Sequence, residues 1–224
     1  MKRLTVFFMA LVFALCMAGN AQAIPTGVNN LLQNSSFEDW TGTSFEFWSE
    51  SGDWKRKSVY AYDGDYYARL GMGTGSLFQS FYIPYGDTLY FGAYFSFITN
   101  NIGGGNWDQA QINMQIAGLP DTTIGGSVSS FQGLSWEPVT PGSATHRSNW
   151  ILLAGTVDIL GISLPAASSI NISLQNFNPA NTRVNVDSAY AGVKPTPVPE
   201  PGTLLLLGSG LLGLLGFARR KSQK

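Results

Sequence analysis

Cysteine and histidine are almost absent from this sequence, and their scarcity excludes several kinds of catalytic site. The 224 residues contain one cysteine, Cys16, and one histidine, His146. Beyond Cys16 the chain therefore has no thiol nucleophile, no disulfide and no cysteine metal site. His146 lies in a polar segment typical of a loop, and neither an H-E-x-x-H nor a G-x-S-x-G motif is present. A zinc or serine hydrolase would need partners that this histidine lacks in the sequence.

Basic residues are also scarce outside the two ends of the chain. Of the 13 Lys and Arg residues, six lie within the first three and the last six residues, which leaves seven against 14 Asp and Glu. The segment between these ends thus carries a net charge of about −7, although the whole chain is nearly neutral. Because phosphate binding requires clustered Lys and Arg, this composition argues against a nucleic-acid partner.

The first 23 residues have the composition of a secretory signal peptide. Lys2 and Arg3 precede an apolar stretch over residues 4–17, and Ala21 and Ala23 form the small-x-small pattern that signal peptidase recognises. We expect signal peptidase to cleave after Ala23 and the rest of the chain to be exported.

A proline-rich linker, an apolar run and a basic tail follow one another at the carboxyl end. The prolines of residues 194–202 favour an extended, exposed linker. Residues 203–218 carry no charge and predict a transmembrane helix of roughly 24 Å, which flanking residues and snorkelling arginines would extend. The basic residues of 219–224 are expected to stay in the cytoplasm. Composition alone is typical of a permanent membrane anchor.

The order of these three parts carries more information than their composition. Pro199-Glu200-Pro201 comes first, the leucine- and glycine-rich run follows, and Arg219-Arg220 closes the segment. This order resembles the PEP-CTERM sorting signal of Gram-negative bacteria. The resemblance implies recognition by an exosortase, removal of the helix, and so transient anchoring in the inner membrane before delivery to the cell surface or extracellular matrix. It also implies an association with exopolysaccharide and biofilm, and it makes Glu200 a processing signal.

Residues 24–193 predict one all-β domain, an antiparallel β-sandwich. Apolar and polar residues alternate over 89–97, 110–116, 170–175 and 184–187, as in strands with one solvated face. Gly, Asn, Asp and Pro separate these segments, and many short strands with turns between them are typical of a sandwich or jelly roll. The segment 150–157 is apolar on both faces, so we expect it to form a central strand.

Five short segments of this domain stand out by their sequence and by the order in which they follow one another. They are residues 30–38, Trp48, and residues 63–68, 77–86 and 186–190. Their order is similar to that of galactose-binding-like jelly rolls, notably carbohydrate-binding modules. The resemblance implies a jelly roll whose first and last strands lie side by side.

The same resemblance implies a structural calcium ion that ties these strands together. Glu38 and Asp187 match the positions of its carboxylate ligands, and Ser36 and the turn that begins at Asp63 would add backbone oxygens, which Ca²⁺ also prefers. Ser188 departs from the family, which often has a second Asp there. In the alternative interpretation, Glu38 only accepts backbone N–H hydrogen bonds and Asp187 faces solvent.

Aromatic side chains outside the alternating segments are candidates for ligand binding. Trp107, Trp136 and Tyr62 lie in segments that read as loops or turns, and aromatic rings stack on the apolar faces of sugars. Asn and Gln side chains would satisfy the sugar hydroxyls. The alternative for each aromatic residue is packing in the core.

Three functions remain open for the exported domain. The first is a non-enzymatic surface or matrix protein that binds a polysaccharide, and the second is a purely structural matrix protein without a sugar site. The third is a small glycan-active enzyme, for which a pair of carboxylates would suffice. Its candidate carboxylates are Glu46, Glu50, Asp108 and Glu137, and no spacing in the sequence pairs them. We therefore assign no catalytic residue.

Overall fold

The computed structural model describes residues 27–71, 73–100, 109–127, 131, 133–141, 143–175 and 182–194. Four predicted segments lie outside these residues: the signal peptide with Ala21 and Ala23, the linker from residue 195 with its Pro-Glu-Pro motif, the apolar run over 203–218, and the basic tail. No helix in the described part of the chain is long and apolar enough to span a membrane.

The described residues form fifteen β-strands and no α-helix, which confirms the predicted all-β domain. The strands are β1 Asn29–Asn30, β2 Trp40–Thr41, β3 Ser44–Phe45, β4 Ser49–Ser51, β5 Trp54–Ser58, β6 Tyr66–Leu70, β7 Thr74–Ile83, β8 Thr88–Thr99, β9 Gln109–Ile116, β10 Thr122–Ser127, β11 Trp136–Pro138, β12 His146–Ser148, β13 Ile151–Asp158, β14 Ala166–Gln175 and β15 Thr182–Val193.

Two antiparallel sheets contain nearly all of these strands. The eight-stranded sheet has the order β11-β12-β8-β15-β6-β5, with β1 also paired to β15 and β13 to β8. The five-stranded sheet has the order β10-β9-β14-β7-β4, and β2 and β3 pair with each other. The order of the strands in the sheet differs from their order in the chain. Strand β15, the last in the chain, lies between β8 and β6.

The core lies between the sheets because each strand turns alternate side chains inward. Phe91 and Phe95 of β8 are fully buried in the same cluster as Leu77, Ile112 and Ile170 of the five-stranded sheet. The alternation over residues 89–97 and 110–116 therefore predicts the inward face correctly. Burying each large apolar side chain stabilises the fold by about 1.5–3 kcal/mol. The predicted antiparallel β-sandwich is confirmed.

The first and last strands lie side by side, as the resemblance to jelly rolls implied. Asn29 pairs with Val193 and Asn30 with Gly192. The Asn30 side chain reinforces this contact, since its Oδ1 accepts from the Ala191 N–H at 3.2 Å and its Nδ2 donates to the Ala189 carbonyl at 3.1 Å. A Cβ on Gly192 would overlap the carbonyl oxygen of Asn29, so this close approach requires glycine.

The apolar segment 150–157 does not form a central strand, contrary to the prediction. Strand β13 pairs with β8 alone among the described strands, and most of its side chains are only half-buried. Its inward residues Leu153 and Val157 pack against the core. Its outward residue Leu152 lies opposite Tyr94, beside an aromatic cluster on the outer face of the sheet. Both faces are therefore apolar although the strand is peripheral.

Candidate functional site

One turn, residues 62–66, brings together three of the four predicted calcium ligands. Glu38 Oε1 accepts from the N–H groups of Asp65 and Tyr66, both at 2.9 Å. Asp187 Oδ2 accepts from the N–H groups of Tyr62 at 2.7 Å and Asp63 at 3.2 Å. Two carboxylates more than a hundred residues apart thus hold one turn.

Asp187 sits at the β15 bulge that makes this contact possible. The register of β15 against β8 shifts between Asp187 and Tyr190, and Ser188 has a φ of 45°. Asp187 Oδ1 accepts from the Ser188 N–H at 2.7 Å. Burial raises the pKa of Asp187 to about 7, the charge of Asp63 adds to this, and the three N–H donors oppose it. The side chain is fully buried, so it does not face solvent as the alternative interpretation had it.

These contacts bear on whether a calcium ion fits the turn. The Glu38 and Asp187 oxygens already accept backbone N–H bonds, which for Glu38 is the alternative stated from the sequence. The part of the chain that the structure describes offers no group of three His, Cys, Asp or Glu residues suited to a metal. Ser36 follows Ser35, whose carbonyl accepts from the Ala189 N–H at 2.8 Å. A calcium ion would have to use the remaining lone pairs and carbonyls, and it stays a prediction.

Tyr62, a predicted ligand residue, extends from this turn onto the outer face of the eight-stranded sheet. Its ring stacks on Tyr94 with centroids 3.5 Å apart and planes 17° from parallel, and its side chain is 45% exposed. Trp150 lies edge-on to both Tyr62 and Tyr67. Tyr62 is therefore part of an aromatic cluster, with part of its surface open to solvent.

The other two predicted ligand residues lie elsewhere. Trp136 begins β11, opposite Ser148, and its half-buried side chain packs against the core. Trp107 lies outside the described residues. Trp136 and Tyr62 make no ring contact with each other among the described residues.

Three of the four carboxylates considered for an enzyme have hydrogen-bond partners. Glu46 accepts from the Thr41 hydroxyl, and Glu50 accepts from the Phe45 N–H. Burial raises the pKa of Glu50, although the Phe45 N–H opposes this effect. Glu137 pairs with Arg147 at 2.5 Å. Asp108 lies outside the described residues.

The outer face of the five-stranded sheet presents a different chemistry, and we call it the amide face. In register across β4, β7, β14, β9 and β10, one row of outward residues reads Ser51, Ser76, Ser173, Gln111 and Gly125. The next row reads Ser49, Phe78, Asn171, Asn113 and Thr123, and a third contains Ser80, Ser169 and Gln115. None of these outward residues is charged. Asp121 lies at the edge of the face, where it accepts from Gln115 Nε2 at 2.8 Å.

Hydrogen bonds between neighbouring strands fix several of these side chains. Asn113 Nδ2 donates to Thr123 Oγ1 at 2.9 Å, and the hydroxyls of Ser51 and Ser76 are 2.9 Å apart. By contrast, Asn171 Oδ1 is buried and has no hydrogen-bond partner among the described residues. An amide oxygen can accept two hydrogen bonds, so Asn171 has unused capacity at the centre of the face.

Three grooves border the amide face, and two of them lie over its amide side chains. One has a volume of about 400 Å³ and is lined by side chains that include Gln111, Asn171 and Ser173. The second has a volume of about 530 Å³ and is lined by Tyr82, Gln115 and Ser169 among others. Both volumes fall in the range of small-molecule sites.

Two aromatic side chains on β7 belong to this face and were not predicted from the sequence. Phe78 and Tyr82 both point outward, and the Tyr82 side chain is 69% exposed. Four residues of a strand separate them by roughly 13 Å. The sequence signal that could have found the face is its composition, since every outward position over residues 109–116 is Gln or Asn. The alternation by itself indicates only a solvated face, because it does not show which strands lie beside this one.

Comparison with known proteins identifies the carboxyl-terminal segment. Residues 197–221 match the family model of the PEP-CTERM protein-sorting motif. The chain carries a PEP-CTERM sorting motif. The motif implies processing by an exosortase and export to the cell surface of a Gram-negative bacterium, which confirms that part of the sequence interpretation. No curated protein matches the chain.

Solved structures similar to the described fold include several carbohydrate-binding modules. TmCBM61, solved in complex with β-1,4-galactotriose, is 15% identical with a TM-score of 0.48, over 73% of this chain and 97% of that chain. A non-crystalline cellulose specific module, CBM28, is 12% identical with a TM-score of 0.42, over 74% of this chain and 96% of that chain. These are modules of the class that the sequence resembles, and the likeness concerns the fold alone.

Proposed function

We propose that this PEP-CTERM protein is a non-catalytic surface or matrix protein that binds a neutral polysaccharide on the amide face. The observation that carries the proposal is the composition of that face, where outward positions on five strands hold amides, hydroxyls and two aromatic rings without a charge. Delivery by the sorting motif would put this face in contact with polysaccharide outside the cell.

Amide and hydroxyl side chains suit a neutral sugar because both partners donate and accept hydrogen bonds. Gln111, Asn113 and Asn171 lie on two neighbouring strands, so their amides form a continuous patch in the centre of the face. Asn171 also lines the smaller groove, so its side-chain amide would contribute to the hydrogen bonds of a sugar bound there.

Tyr82 supplies the apolar part of the proposed site. Its ring is the most exposed on the face and lies beside the larger groove. Aromatic rings bind the C–H faces of sugars while adjacent polar groups bind the hydroxyls. Phe78, roughly 13 Å along the same strand, would lie below the next few sugar units of an extended chain.

The residues predicted from the sequence do not form the proposed polysaccharide site. Tyr62 and Trp136 lie on the eight-stranded sheet and so do not join the amide face. A structural calcium ion at Glu38 and Asp187 would stabilise the 62–66 turn rather than contact the polysaccharide. We expect such a protein to act in association with exopolysaccharide, in the biofilm outside the cell.

Retention on neutral polysaccharides tests the proposal. The full chain, purified in a non-ionic detergent, would be run through native gels that contain galactan, xylan or amorphous cellulose. We expect at least one polysaccharide to retard the protein, and we expect Tyr82→Ala and Gln111→Ala each to weaken retardation about tenfold, which corresponds to about 1.4 kcal/mol.

Tyr85→Ala is the matched control, because Tyr85 is 40% exposed but lies past the end of β7, outside the amide face. It should leave retardation unchanged. If no neutral polysaccharide retards the protein, or if Tyr85→Ala has the effect of Tyr82→Ala, the proposed site is wrong. A purely structural matrix protein would give the first of these results.

A further inference from the structure

All seven basic residues between the two end segments belong to one side of the sandwich. Lys55, Arg56 and Lys57 lie on β5, Arg69 on β6, Arg147 on β12, Arg183 on β15, and Lys194 directly after β15. The five-stranded sheet has none. A domain with a net charge of about −7 therefore concentrates its positive charge on the eight-stranded sheet.

Strand register brings three of these arginines together, and we call them the arginine cluster. Arg147 pairs with Ile98 of β8, and Ile98 pairs in turn with Arg183 of β15. Two residues along β15, Asn185 pairs with Arg69 of β6. Val184 between them points into the core, so Arg183 and Asn185 share the outer face.

Neutral groups hold Arg69 in place. Its Nε donates to Asn185 Oδ1 at 2.8 Å, and one terminal nitrogen donates to the Tyr67 hydroxyl at 2.6 Å. Asn185 and Tyr67 are themselves buried, so the guanidinium group has a fixed position. Arg69 can therefore receive an anion without first being ordered.

Arg147 is fixed by an ion pair and by an aromatic ring. It pairs with Glu137 at 2.5 Å, and its guanidinium carbon lies 3.3 Å from the centroid of the Tyr60 ring. Tyr60 is held there although its φ is 75°, a conformation that non-glycine residues rarely adopt, because its carbonyl accepts from Trp150 Nε1 at 3.0 Å. The cluster thus has aromatic rings at its margin.

The cluster has more positive than negative charge. Arg183 is exposed, and neither Arg69 nor Arg183 forms an ion pair with a described Asp or Glu residue. Burial lowers the pKa of the Arg69 guanidinium, and the nearby charges of Arg183 and Arg147 lower it further, while Tyr67 raises it. A bound anion would relieve this repulsion.

We propose that the arginine cluster binds the carboxylate groups of an acidic polysaccharide, at a second site separate from the amide face. A guanidinium group matches a carboxylate through two parallel hydrogen bonds, and Tyr60 beside it offers an exposed ring to a sugar. A polymer with one carboxylate on each sugar fits two or three arginines. A nucleic-acid duplex or an anionic membrane would instead bring a broad negative surface against an acidic domain.

The test compares two forms of one polysaccharide, with its carboxylates either free or methyl-esterified. The full chain in non-ionic detergent would be run in native gels containing polygalacturonate or its fully methyl-esterified form. We expect retardation by polygalacturonate alone, weakened strongly by an increase in salt from about 50 to 500 mM because ions screen the exposed Arg183. Arg183→Gln should weaken it about tenfold. Lys194→Gln, which removes an exposed charge just past the end of the same strand, should weaken it less than twofold.

The outcomes separate this site from the proposed neutral site. Arg183→Gln should leave retardation by a neutral polysaccharide unchanged, and Tyr82→Ala should leave retardation by polygalacturonate unchanged. Equal retardation by the two forms of polygalacturonate, or equal effects of Arg183→Gln and Lys194→Gln, would overturn the proposal. So would tighter, Arg183-dependent binding to duplex DNA or to vesicles of phosphatidylglycerol. Thermal unfolding of each variant shows whether the protein tested is folded.

Discussion

The two outer faces of the sandwich differ in chemistry although they share one core. The outward strand positions of the amide face hold no charged side chain, and Asp121 lies only at its edge. The eight-stranded sheet, by contrast, holds six basic residues and is followed directly by the seventh. The inward residues of both sheets meet in a single buried cluster. Because inward and outward positions alternate, each outer face can vary without changing the core. The net charge of the domain therefore describes neither face.

The largest expected effect comes from a side chain on which both faces depend. Phe95 is fully buried between the sheets, and Phe95→Ala should lower the free energy of unfolding by about 3–5 kcal/mol because it leaves a cavity. Urea unfolding of the full chain, followed by tryptophan fluorescence, measures this. Leu160→Ala, at a 67% exposed position, should change it by less than about 0.5 kcal/mol. A loss of binding at one face alone in Phe95→Ala would argue against a shared core.

A smaller effect should be confined to the eight-stranded sheet. Asp187→Ala leaves the N–H groups of Tyr62, Asp63 and Ser188 without their acceptor, and we expect a loss of about 3 kcal/mol in stability. Near-ultraviolet circular dichroism should also report a loosened Tyr62 and Trp150. Asp187→Asn keeps one acceptor oxygen and should cost about half as much. If folded Asp187→Ala loses its binding to neutral polysaccharide, the two faces are coupled after all.

Adding calcium tests the same turn, because an ion bound there should stabilise the protein. With a dissociation constant near 10 µM, 1 mM Ca²⁺ would stabilise the protein by about 2.7 kcal/mol and raise Tm by roughly 5–10 °C. Glu38→Ala should abolish the shift, and Glu46→Ala, which alters a nearby carboxylate, should not. An unchanged Tm at millimolar Ca²⁺ would remove the calcium prediction and leave the N–H bonds as the whole role of Glu38.

The smallest expected effect comes from moving a charge to the neutral face. Ser173 lines the smaller groove, and Ser173→Lys should weaken binding to neutral polysaccharide about tenfold, or about 1.4 kcal/mol. Its stability should change little, because the side chain is only half-buried. Ser173→Thr keeps the hydroxyl and serves as the control in the same native gels. Unchanged binding in Ser173→Lys would show that the polysaccharide does not use this groove.

Local patterns predicted the strands and their faces, since alternation is a property of neighbouring residues. The stretches at 89–97 and 110–116 became β8 and β9 with the expected residues inward. Resemblance to a known family added one long-range contact, the convergence of Glu38, Asp63 and Asp187 on one turn. Composition alone could not have joined them.

The two proposed sites required the structure because they depend on register between distant strands. Arg147 and Arg183 are neighbours only because β12 and β15 both pair with β8. Tyr82 lies between Phe81 and Ile83, so an outward aromatic residue there has the same sequence pattern as a strand buried on both sides. The prediction that the segment 150–157 forms a central strand was wrong for the same reason. The outer face of this strand is apolar because it lies beside an aromatic cluster, although the strand is at the edge of the sheet.

The position of β15 sets the order in which the exported domain can be completed. Residues 182–193 are the last strand of the domain to be translated, yet they form the strand between β8 and β6. The eight-stranded sheet therefore cannot be completed before these residues have been made. The sorting motif begins at residue 197, immediately beyond this strand. Exosortase processing at this motif would therefore act on a chain whose last sheet strand has already been made.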